Sequence, residues 1–331
     1  MGLYQSLDRL GKLYRWKNIN MKKKTIKNIS NLKGKSIFLT ADFNISLRNG
    51  QVVNDARIVE TLPTIKYLIE KGARIIIASH LGRPTGYDPK LSLRPVAKRL
   101  SHLISKKVRL IDKFWDKKAF DKIKNVFSDE IVMLENIRFY KGEEENNREF
   151  AKHLASIADF FVNDAFGTAH RVHASTVGIA EFLPSFAGLL MSKEIEMLSV
   201  PLEKPKRPFL VIIGGAKTPE KIAVIEKLLD LADTVALGGA IANTFLAAWG
   251  FGMGRSLVDY EMVEMARVVF WKTTKKHSAL ILPQDVVISD KERKTRHKAI
   301  DYDKVPHNVA IYDIGPKTCN QYAELINEAK T

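Results

Sequence analysis

Short apolar runs rich in β-branched residues alternate with helix-like patterns along the first half of the chain. The predicted strands are Ser36–Ala41, Arg74–Ser79, Ile131–Leu134 and Phe160–Asn163. Between the first two, Thr61–Lys71 has helical spacing, with Pro63 near its predicted start and Gly72 just beyond its end, as helix termini favour. Such alternation is typical of a parallel sheet covered by helices on both faces, so the pattern predicts a doubly wound α/β domain.

The same alternation begins again near Phe209 and predicts a second α/β domain of the same Rossmann-like kind. Its predicted strands are Phe209–Ile213, Thr234–Leu237, Ala279–Leu282 and Ala310–Tyr312, and its predicted helices are Pro219–Leu231 and Ala240–Ala248. Between the two halves, Met191–Pro208 is helical and ends in a turn rich in proline and lysine. We therefore predict a first domain over residues 21–190, a hinge over 191–208 and a second domain over 209–331.

Residues 1–20 differ from the rest, because leucines at helical spacing alternate there with basic residues. This pattern allows a basic amphipathic arm or an organelle-targeting segment, and Met1, Gly2 and Ser6 fit the loose myristoylation pattern. Since Met21 begins an ordinary-looking start, we predict that residues 1–20 are an extension outside the fold.

Composition indicates a globular protein with a strongly basic balance. Apolar residues make up 45% and charged residues 27% of the 331 positions, and the formal net charge is +16. No apolar run approaches the length of a membrane span, and we expect no secretory signal. Cys319 is the only cysteine, which excludes an internal disulfide and fits a reducing cytoplasm. The positive charge suits nucleic acid, an anionic membrane surface or an anionic small molecule.

Polar side chains share one position in the first half, directly after the predicted strands. In an open parallel sheet, ligands bind beyond the carboxyl ends of the strands. Guanidinium groups bind phosphate and carboxylate oxygens bidentately and stay charged at any working pH. The candidates at these ends are Asp42, Asn44, Arg57, His80, Arg83, Arg138, His170 and Arg171. We predict that they converge on one basin for a small ligand with several negative charges.

A glycine pair and two lysines follow the first strand of the second half. The segment Gly214–Lys217 leads from that strand into a helix, an arrangement that offers free N–H groups to a phosphate. Lys217 and Lys221 lie four residues apart, near the same face of the first helical turn. A second pair, Gly238–Gly239, permits close approach of a nucleoside to the backbone. On the residues alone, the chain is interpreted as a phosphate-binding α/β enzyme.

The general sequence motifs for metal sites, P-loops and dinucleotide binding do not match this chain. His170 and His173 lie three residues apart, but no carboxylate or cysteine stands at supporting spacing, so we assign His173 to packing or capping. Gly34–Ser36 resembles the tail of a P-loop without its upstream glycine, and Gly250–Arg255 fails the dinucleotide pattern.

The segments ADFN, SHLGRP, LENIRF, VNDAFGTAHR, GGAK and DIGPKT occur in this order along the chain. Together they resemble the signature set of the phosphoglycerate kinase family, and the resemblance runs from about Met21 to Thr331. It implies two α/β domains that face each other across a cleft and close by hinge motion. The first domain would bind 3-phosphoglycerate or 1,3-bisphosphoglycerate, and the second MgATP or MgADP. It also implies a monomeric, cytoplasmic glycolytic enzyme without nucleic-acid or membrane partners.

Carried over motif by motif, the resemblance assigns two sets of residues. The phosphoglycerate site comprises Asp42, Phe43, Asn44, Arg57, His80, Leu81, Gly82, Arg83, Arg138, His170 and Arg171. The nucleotide site comprises Gly214, Gly215, Ala216, Lys217, Lys221, Gly238 and Gly239. A carboxylate acceptor is already ionised at neutral pH and needs no general base. We expect Arg57 and Lys217, assisted by Lys221, to stabilise the transferred phosphoryl group, with Mg²⁺ bridging the phosphates and the histidines as hydrogen-bond donors.

Two departures from the family pattern leave alternatives open. The turn after Lys217 reads Thr-Pro-Glu-Lys, where the family usually has Ser or Ala and an Asp before the second lysine. The family also continues beyond Ala329–Thr331 into a WNGP-type turn and a GGGDS-type loop with the Asp for the metal. We therefore expect the nucleotide-binding domain over 209–331 to be truncated relative to the family, with no metal ligand in this chain. The alternative to an active kinase is a truncated remnant that binds phosphoglycerate but not nucleotide productively. A third interpretation is a basic RNA-binding protein.

Overall fold

A computed structural model of the chain describes residues 24–114, 123, 130–215, 219–273, 278–290 and 297–331. The chain divides into two compact units between Glu196 and Met197. This division lies inside the helix Leu189–Glu203, and the exact domain bounds stay predictions. Residues 1–20 lie outside the described residues. No described helix is long and apolar enough to cross a membrane.

The first unit is built on one parallel sheet. The strands of this unit are β1 (Ser36–Thr40), β2 (Leu47–Arg48), β3 (Gln51–Val52), β4 (Arg74–Ala78), β5 (Val108–Ile111), β6 (Ile131–Leu134), β7 (Phe160–Asn163) and β8 (Ser185–Ala187). The parallel sheet has the order β5-β6-β4-β1-β7-β8, and β2 pairs with β3 in a separate hairpin. After β1 the chain adds strands on the β4 side, then crosses back to place β7 on the other side. The β1/β7 boundary is therefore a switch point, where open parallel sheets bind ligands.

Helices cover both faces of this sheet, as the predicted fold class requires. They are α1 (Ala56–Glu70), α2 (Arg94–Ile104), α3 (Lys141–Glu144), α4 (Arg148–Ala155) and α5 (Leu189–Glu203). Successive side chains of a strand point to opposite faces. In β1, Ile37 and Leu39 belong to a buried cluster with α1 and α2, whereas Phe38 belongs to another with α4. The first unit is a doubly wound α/β structure.

Helix α1 begins at Ala56, well before its predicted start at Thr61. Pro63 therefore lies inside the helix, and the prediction that it marks the helix start is wrong. Ile58 and Ile65 are fully buried on the side of α1 that faces the core. This packing outweighs the local cost of an internal proline.

The second unit combines parallel and antiparallel strands. They are β9 (Leu210–Ile213), β10 (Thr234–Leu237), β11 (Ala279–Ile281), β12 (Asp285–Ser289), β13 (Lys298–Asp301) and β14 (Ala310–Ile314), with helices α6 (Pro219–Leu228), α7 (Gly239–Ala248), α8 (Val263–Thr273) and α9 (Pro316–Glu328). A parallel sheet has the order β11-β10-β9, and an antiparallel sheet the order β13-β12-β14. The parallel sheet confirms the α/β class. The antiparallel sheet was not predicted, because β13 has only four residues, two of them charged, and gives a weak apolar pattern.

Candidate functional site

The polar candidates of the first unit lie in loops at the carboxyl edge of its sheet. Asp42 follows β1, His80 follows β4, Arg138 follows β6 and Arg171 follows β7. These strands are neighbours in a parallel sheet, so their outgoing loops meet at one edge. A Cβ atom on Gly167 would lie 3.3 Å from Asp42 Oδ2, so the loop after β7 reaches the loop after β1. We call these four loops the anion edge.

The turn after β4 is held from both sides. The Gly82 N–H donates to Asn44 Oδ1 at 2.9 Å, and the Gly82 carbonyl accepts from Arg138 Nη1 at 2.8 Å. Gly82 has φ +65°, a left-handed conformation that favours glycine. Arg83 follows directly and is exposed. The turn therefore fixes the backbone from which Arg83 projects.

Two buried residues in the loop after β6 support this turn. The Asn136 amide donates to the carbonyls of Leu81 at 2.8 Å and Leu91 at 3.0 Å, and its Oδ1 accepts from the Arg138 N–H at 3.2 Å. The Glu135 carboxylate accepts from an N–H and a hydroxyl at the start of α2. Both residues lie in the segment LENIRF, but neither was predicted to have a role in the site. The missed signal was a polar pair directly after a buried apolar strand, where polar groups require partners.

Arg57 extends from the first turn of α1 and forms an ion pair with Asp42. The Arg57 side chain is 52% exposed and the Asp42 side chain 18% exposed. Asp42 Oδ1 also accepts from the Asn44 N–H at 3.2 Å. Arg57 is thus attached to the anion edge while its guanidinium stays accessible to solvent.

Arg138 shares its surroundings with other arginines. Burial lowers the pKa of Arg138, and the charges of Arg171 and Arg83 lower it further, while Glu144 and Glu143 act in the opposite direction. The Arg171 and Arg83 guanidinium groups therefore each lie close enough to repel that of Arg138. A bound multivalent anion would relieve this repulsion.

His80 is buried among these charges. Burial lowers its pKa to about 4, and the charges of Arg138, Arg171 and His173 act in the same direction against Asp42. At neutral pH the imidazole is therefore uncharged and offers one donor and one acceptor nitrogen.

Two assigned positions have buried side chains. The side chains of Phe43 and Leu81 are buried in the hydrophobic core, so these positions offer mainly backbone. The Phe43 N–H donates to Ser79 Oγ at 2.9 Å. His170 is exposed, directly before Arg171. Among the described residues, no group of three His, Cys, Asp or Glu side chains is arranged to hold a metal ion.

In the second unit, two glycine turns approach each other beyond β9 and β10. Gly239 has φ +61°, and a Cβ there would lie 2.9 Å from the Gly215 nitrogen. A Cβ on Gly214 would lie 3.9 Å from the backbone of Gly238, and one on Gly238 would lie 3.8 Å from Ile314 Cγ2. The absence of side chains lets these turns meet and exposes their backbone at the start of α7.

Lys221 lies in the first turn of α6, beside the first glycine turn. Its Nζ donates to the Gly214 carbonyl at 3.4 Å, and a Cβ on Gly215 would lie 3.0 Å from that Nζ. The ammonium group is therefore close to the backbone expected to bind phosphate. Ala216 and Lys217 lie outside the described residues.

A buried carboxylate and a buried hydroxyl support the second unit's carboxyl edge. Asp285 accepts from the N–H groups of Lys317 at 3.0 Å and Thr318 at 2.8 Å, at the start of α9. Burial acts to raise the pKa of Asp285, but hydrogen bonds from Thr318 and Lys317 outweigh it and lower the pKa. The Tyr322 hydroxyl donates to the Leu237 carbonyl at 2.6 Å. Neither residue was singled out from the sequence, because these bonds join distant segments.

A family model for phosphoglycerate kinase matches residues 26–331. The chain belongs to the phosphoglycerate kinase family. The phosphoglycerate kinases of Dictyoglomus turgidum and Thermosipho africanus are each 46% identical to it over 314 residues. These alignments cover 94% of this chain and 79% and 78% of the two relatives.

Solved phosphoglycerate kinase structures show the same fold. The enzyme from Coxiella burnetii is 40% identical with a TM-score of 0.75, covering 93% of this chain and 78% of that one. The enzyme from Pyrococcus horikoshii OT3 is 33% identical with a TM-score of 0.80, covering 93% and 79%. The resemblance in the ordered motifs is confirmed, and the chain is a member of a family of phosphotransferring kinases. The remnant interpretation gains no support from these phosphoglycerate kinase relatives.

Proposed function

We propose that this chain catalyses reversible phosphoryl transfer between 1,3-bisphosphoglycerate with ADP and 3-phosphoglycerate with ATP. The observation that carries the proposal is the grouping of Arg83, Arg138 and Arg171 at the anion edge. 3-Phosphoglycerate has a carboxylate and a phosphate, with about two to three negative charges at neutral pH. Guanidinium groups held on a rigid sheet edge match this charge and its planar oxygen geometry.

In this proposal the remaining assigned residues fix the triose. Asp42 and Asn44 bind its hydroxyl group, and the exposed His170 approaches it from the loop after β7. His80 contributes hydrogen bonds without charge, which agrees with its lowered pKa. The backbone at Phe43, Leu81 and Gly82 completes the contact surface.

The phosphoryl step needs positioning and charge stabilisation more than proton transfer. A carboxylate oxygen of 3-phosphoglycerate attacks the γ-phosphorus of ATP while the bond to the ADP oxygen breaks. Arg57 and Lys217 stabilise the charge on the transferred group, and Lys221 assists them. The nucleotide enters as its Mg²⁺ complex, and the glycine turns at 214–215 and 238–239 offer backbone N–H groups to its phosphates.

Three wider predictions accompany this function. A cytoplasmic location rests on the single cysteine, and a monomeric state rests on the family resemblance. Small-molecule substrates are the expected partners, without nucleic acid.

Calorimetric titration with 3-phosphoglycerate and separately with MgADP tests the proposal, together with a coupled assay of turnover. We expect both ligands to bind and the assay to show activity. Triose binding without an ADP signal or turnover would favour the remnant instead. A steep salt-dependent shift of RNA by this protein, absent with other basic enzymes, would favour the RNA-binding interpretation.

A further inference from the structure

Glu143 is a buried carboxylate below the anion edge that no assigned role uses. It belongs to α3, which follows the turn that carries Arg138. Its side chain is only 2% exposed. A buried carboxylate is costly unless hydrogen bonds satisfy it, so its partners indicate what it does.

Its partners belong to the loop after β7. Glu143 Oε2 accepts from the Ser175 N–H at 2.9 Å, and Oε1 accepts from the Ser175 hydroxyl at 2.7 Å. The Glu143 carbonyl accepts from the Ala174 N–H at 2.9 Å, and His173 Nδ1 lies 3.6 Å from Oε1. One residue of the Arg138 loop is therefore hydrogen-bonded to two consecutive residues of the Arg171 loop and lies near a third.

The same loop is fixed at two further points. The Ser175 carbonyl accepts from Thr40 Oγ1 at 2.8 Å, which attaches it to the end of β1. Thr176 Oγ1 donates to the Arg171 carbonyl at 2.8 Å. Glu143 is thus hydrogen-bonded to Ser175, and the next residue, Thr176, is hydrogen-bonded to the backbone of Arg171.

These hydrogen bonds fix the position of the Arg171 loop relative to the Arg138 loop. The two guanidinium groups repel each other, and hydrogen bonds between the loops that carry them oppose this repulsion. Glu143 and Arg138 also line one small polar cavity together with His80 and Ser175. The bonds between Glu143 and Ser175 therefore lie close to Arg138 and His80.

We propose that Glu143 is a positioning residue of the phosphoglycerate site, which holds the Arg171 loop against the Arg138 loop through its bonds to Ser175. The inference rests on the proposed function of the anion edge. It predicts that substitutions at Glu143 change the affinity for 3-phosphoglycerate and leave the affinity for MgADP unchanged. A bidentate ligand contact is sensitive to displacements of about 1 Å, which cost about 100-fold when reacting groups are misplaced.

The test compares three variants of the full chain by calorimetric titration. Glu143→Ala removes both side-chain bonds, whereas Glu143→Gln keeps an acceptor for the Ser175 N–H. Glu144→Ala is the matched control, because Glu144 is the next residue and lies 3.4 Å from Arg138 Nε but is 50% exposed. We expect Glu143→Ala to weaken 3-phosphoglycerate binding about 10- to 100-fold. The glutamine and Glu144 variants should stay within about threefold of wild type.

A role in folding alone gives a different result. In that case Glu143→Ala would lower the midpoint of thermal unfolding, while the folded fraction would bind 3-phosphoglycerate as wild type does, and the inference would be overturned. Equal weakening by Glu143→Gln and Glu143→Ala would overturn it too, because charge rather than the hydrogen-bonded tie would then matter. MgADP affinity should be equal in all variants, and a matching loss for MgADP also counts against it. Failure of the wild-type protein to bind 3-phosphoglycerate would instead refute the proposed function, and the inference with it.

Discussion

The two units present their proposed anion-binding groups by opposite means. The anion edge of the first unit is made of side chains, and buried polar residues such as Asn136 and Glu143 hold them. The glycine turns of the second unit are made of backbone, and Gly239 lies against Gly215 more closely than a Cβ would allow. Recognition by guanidinium groups requires a network of buried hydrogen bonds, whereas recognition by N–H groups requires that side chains be absent.

This difference determines which substitutions should harm each unit. In the first unit, removing a side chain deletes a charge or leaves a buried polar group without its partner. In the second unit, adding a single methyl group at Gly239 would force the two glycine turns apart. Removing a side chain from the first unit should therefore weaken binding of 3-phosphoglycerate, whereas adding one to the second unit should weaken binding of MgADP.

The largest expected effect is from Arg57→Ala. Removing the group assigned to the transferred phosphoryl should lower kcat by about 1000-fold, as the loss of comparable transition-state charge does elsewhere. Because the Arg57 side chain is 52% exposed, the midpoint of thermal unfolding should change little. A coupled assay at saturating substrate measures the first effect and calorimetry the second.

Arg94→Ala is the matched control for this measurement. Arg94 forms an exposed pair with Asp112 in the same unit, and neither residue is assigned to the phosphoglycerate site. It should leave kcat unchanged. An Arg57→Ala enzyme that keeps more than about a tenth of the wild-type kcat would remove Arg57 from the catalytic role.

The next largest effect is expected from Gly239→Ala. Its Cβ would meet the Gly215 nitrogen at 2.9 Å and the Gly215 carbonyl oxygen at 3.2 Å, so the two turns must separate. We expect MgADP binding to weaken by at least about tenfold, with 3-phosphoglycerate binding unchanged. Calorimetric titration with each ligand measures both.

Gly250→Ala separates this steric effect from backbone strain. Gly250 also has a positive φ, +92°, but a Cβ there would have open space around it. Alanine at 250 should cost stability only, through its strained conformation. An equal loss of MgADP affinity in Gly239→Ala and Gly250→Ala would show that backbone strain, not the steric contact between the two glycine turns, is responsible.

The strongest parts of the fold could be predicted from the sequence, for a physical reason. β6, β7 and β10 have the predicted bounds, because central strands of a covered parallel sheet are apolar on both faces and end at polar or glycine residues. The arginines were found because their position after the strands is a local feature. Glu143 was missed because its bonds reach Ser175, 32 residues further along the chain. Such pairs leave no periodic pattern, and neither does the antiparallel pairing of β12 with β13.

A smaller, pH-dependent effect is expected in the first unit from His80. Its pKa is about 4 in the folded protein and 6.5 for the free side chain. The unfolded chain therefore binds more protons between these values, so the free energy of unfolding should fall as the pH drops through this window, by up to about 3 kcal/mol. His80→Asn should remove this part of the pH dependence. Urea unfolding of both proteins across the window provides the measurement, and parallel curves would contradict the prediction.

The smallest effect is expected from Tyr322→Phe, which asks whether the glycine turns also depend on a buried side chain. The Tyr322 hydroxyl reaches the Leu237 carbonyl, directly before Gly238. Its loss should lower the free energy of unfolding by about 1 kcal/mol, while MgADP affinity changes less than about threefold, because the turn is held mainly by backbone packing. Tyr260→Phe is the matched control, since Tyr260 is 72% exposed and should change neither quantity. A tenfold loss of MgADP affinity in Tyr322→Phe would mean that the second unit too positions its backbone through buried side chains, and the contrast between the two units would fail.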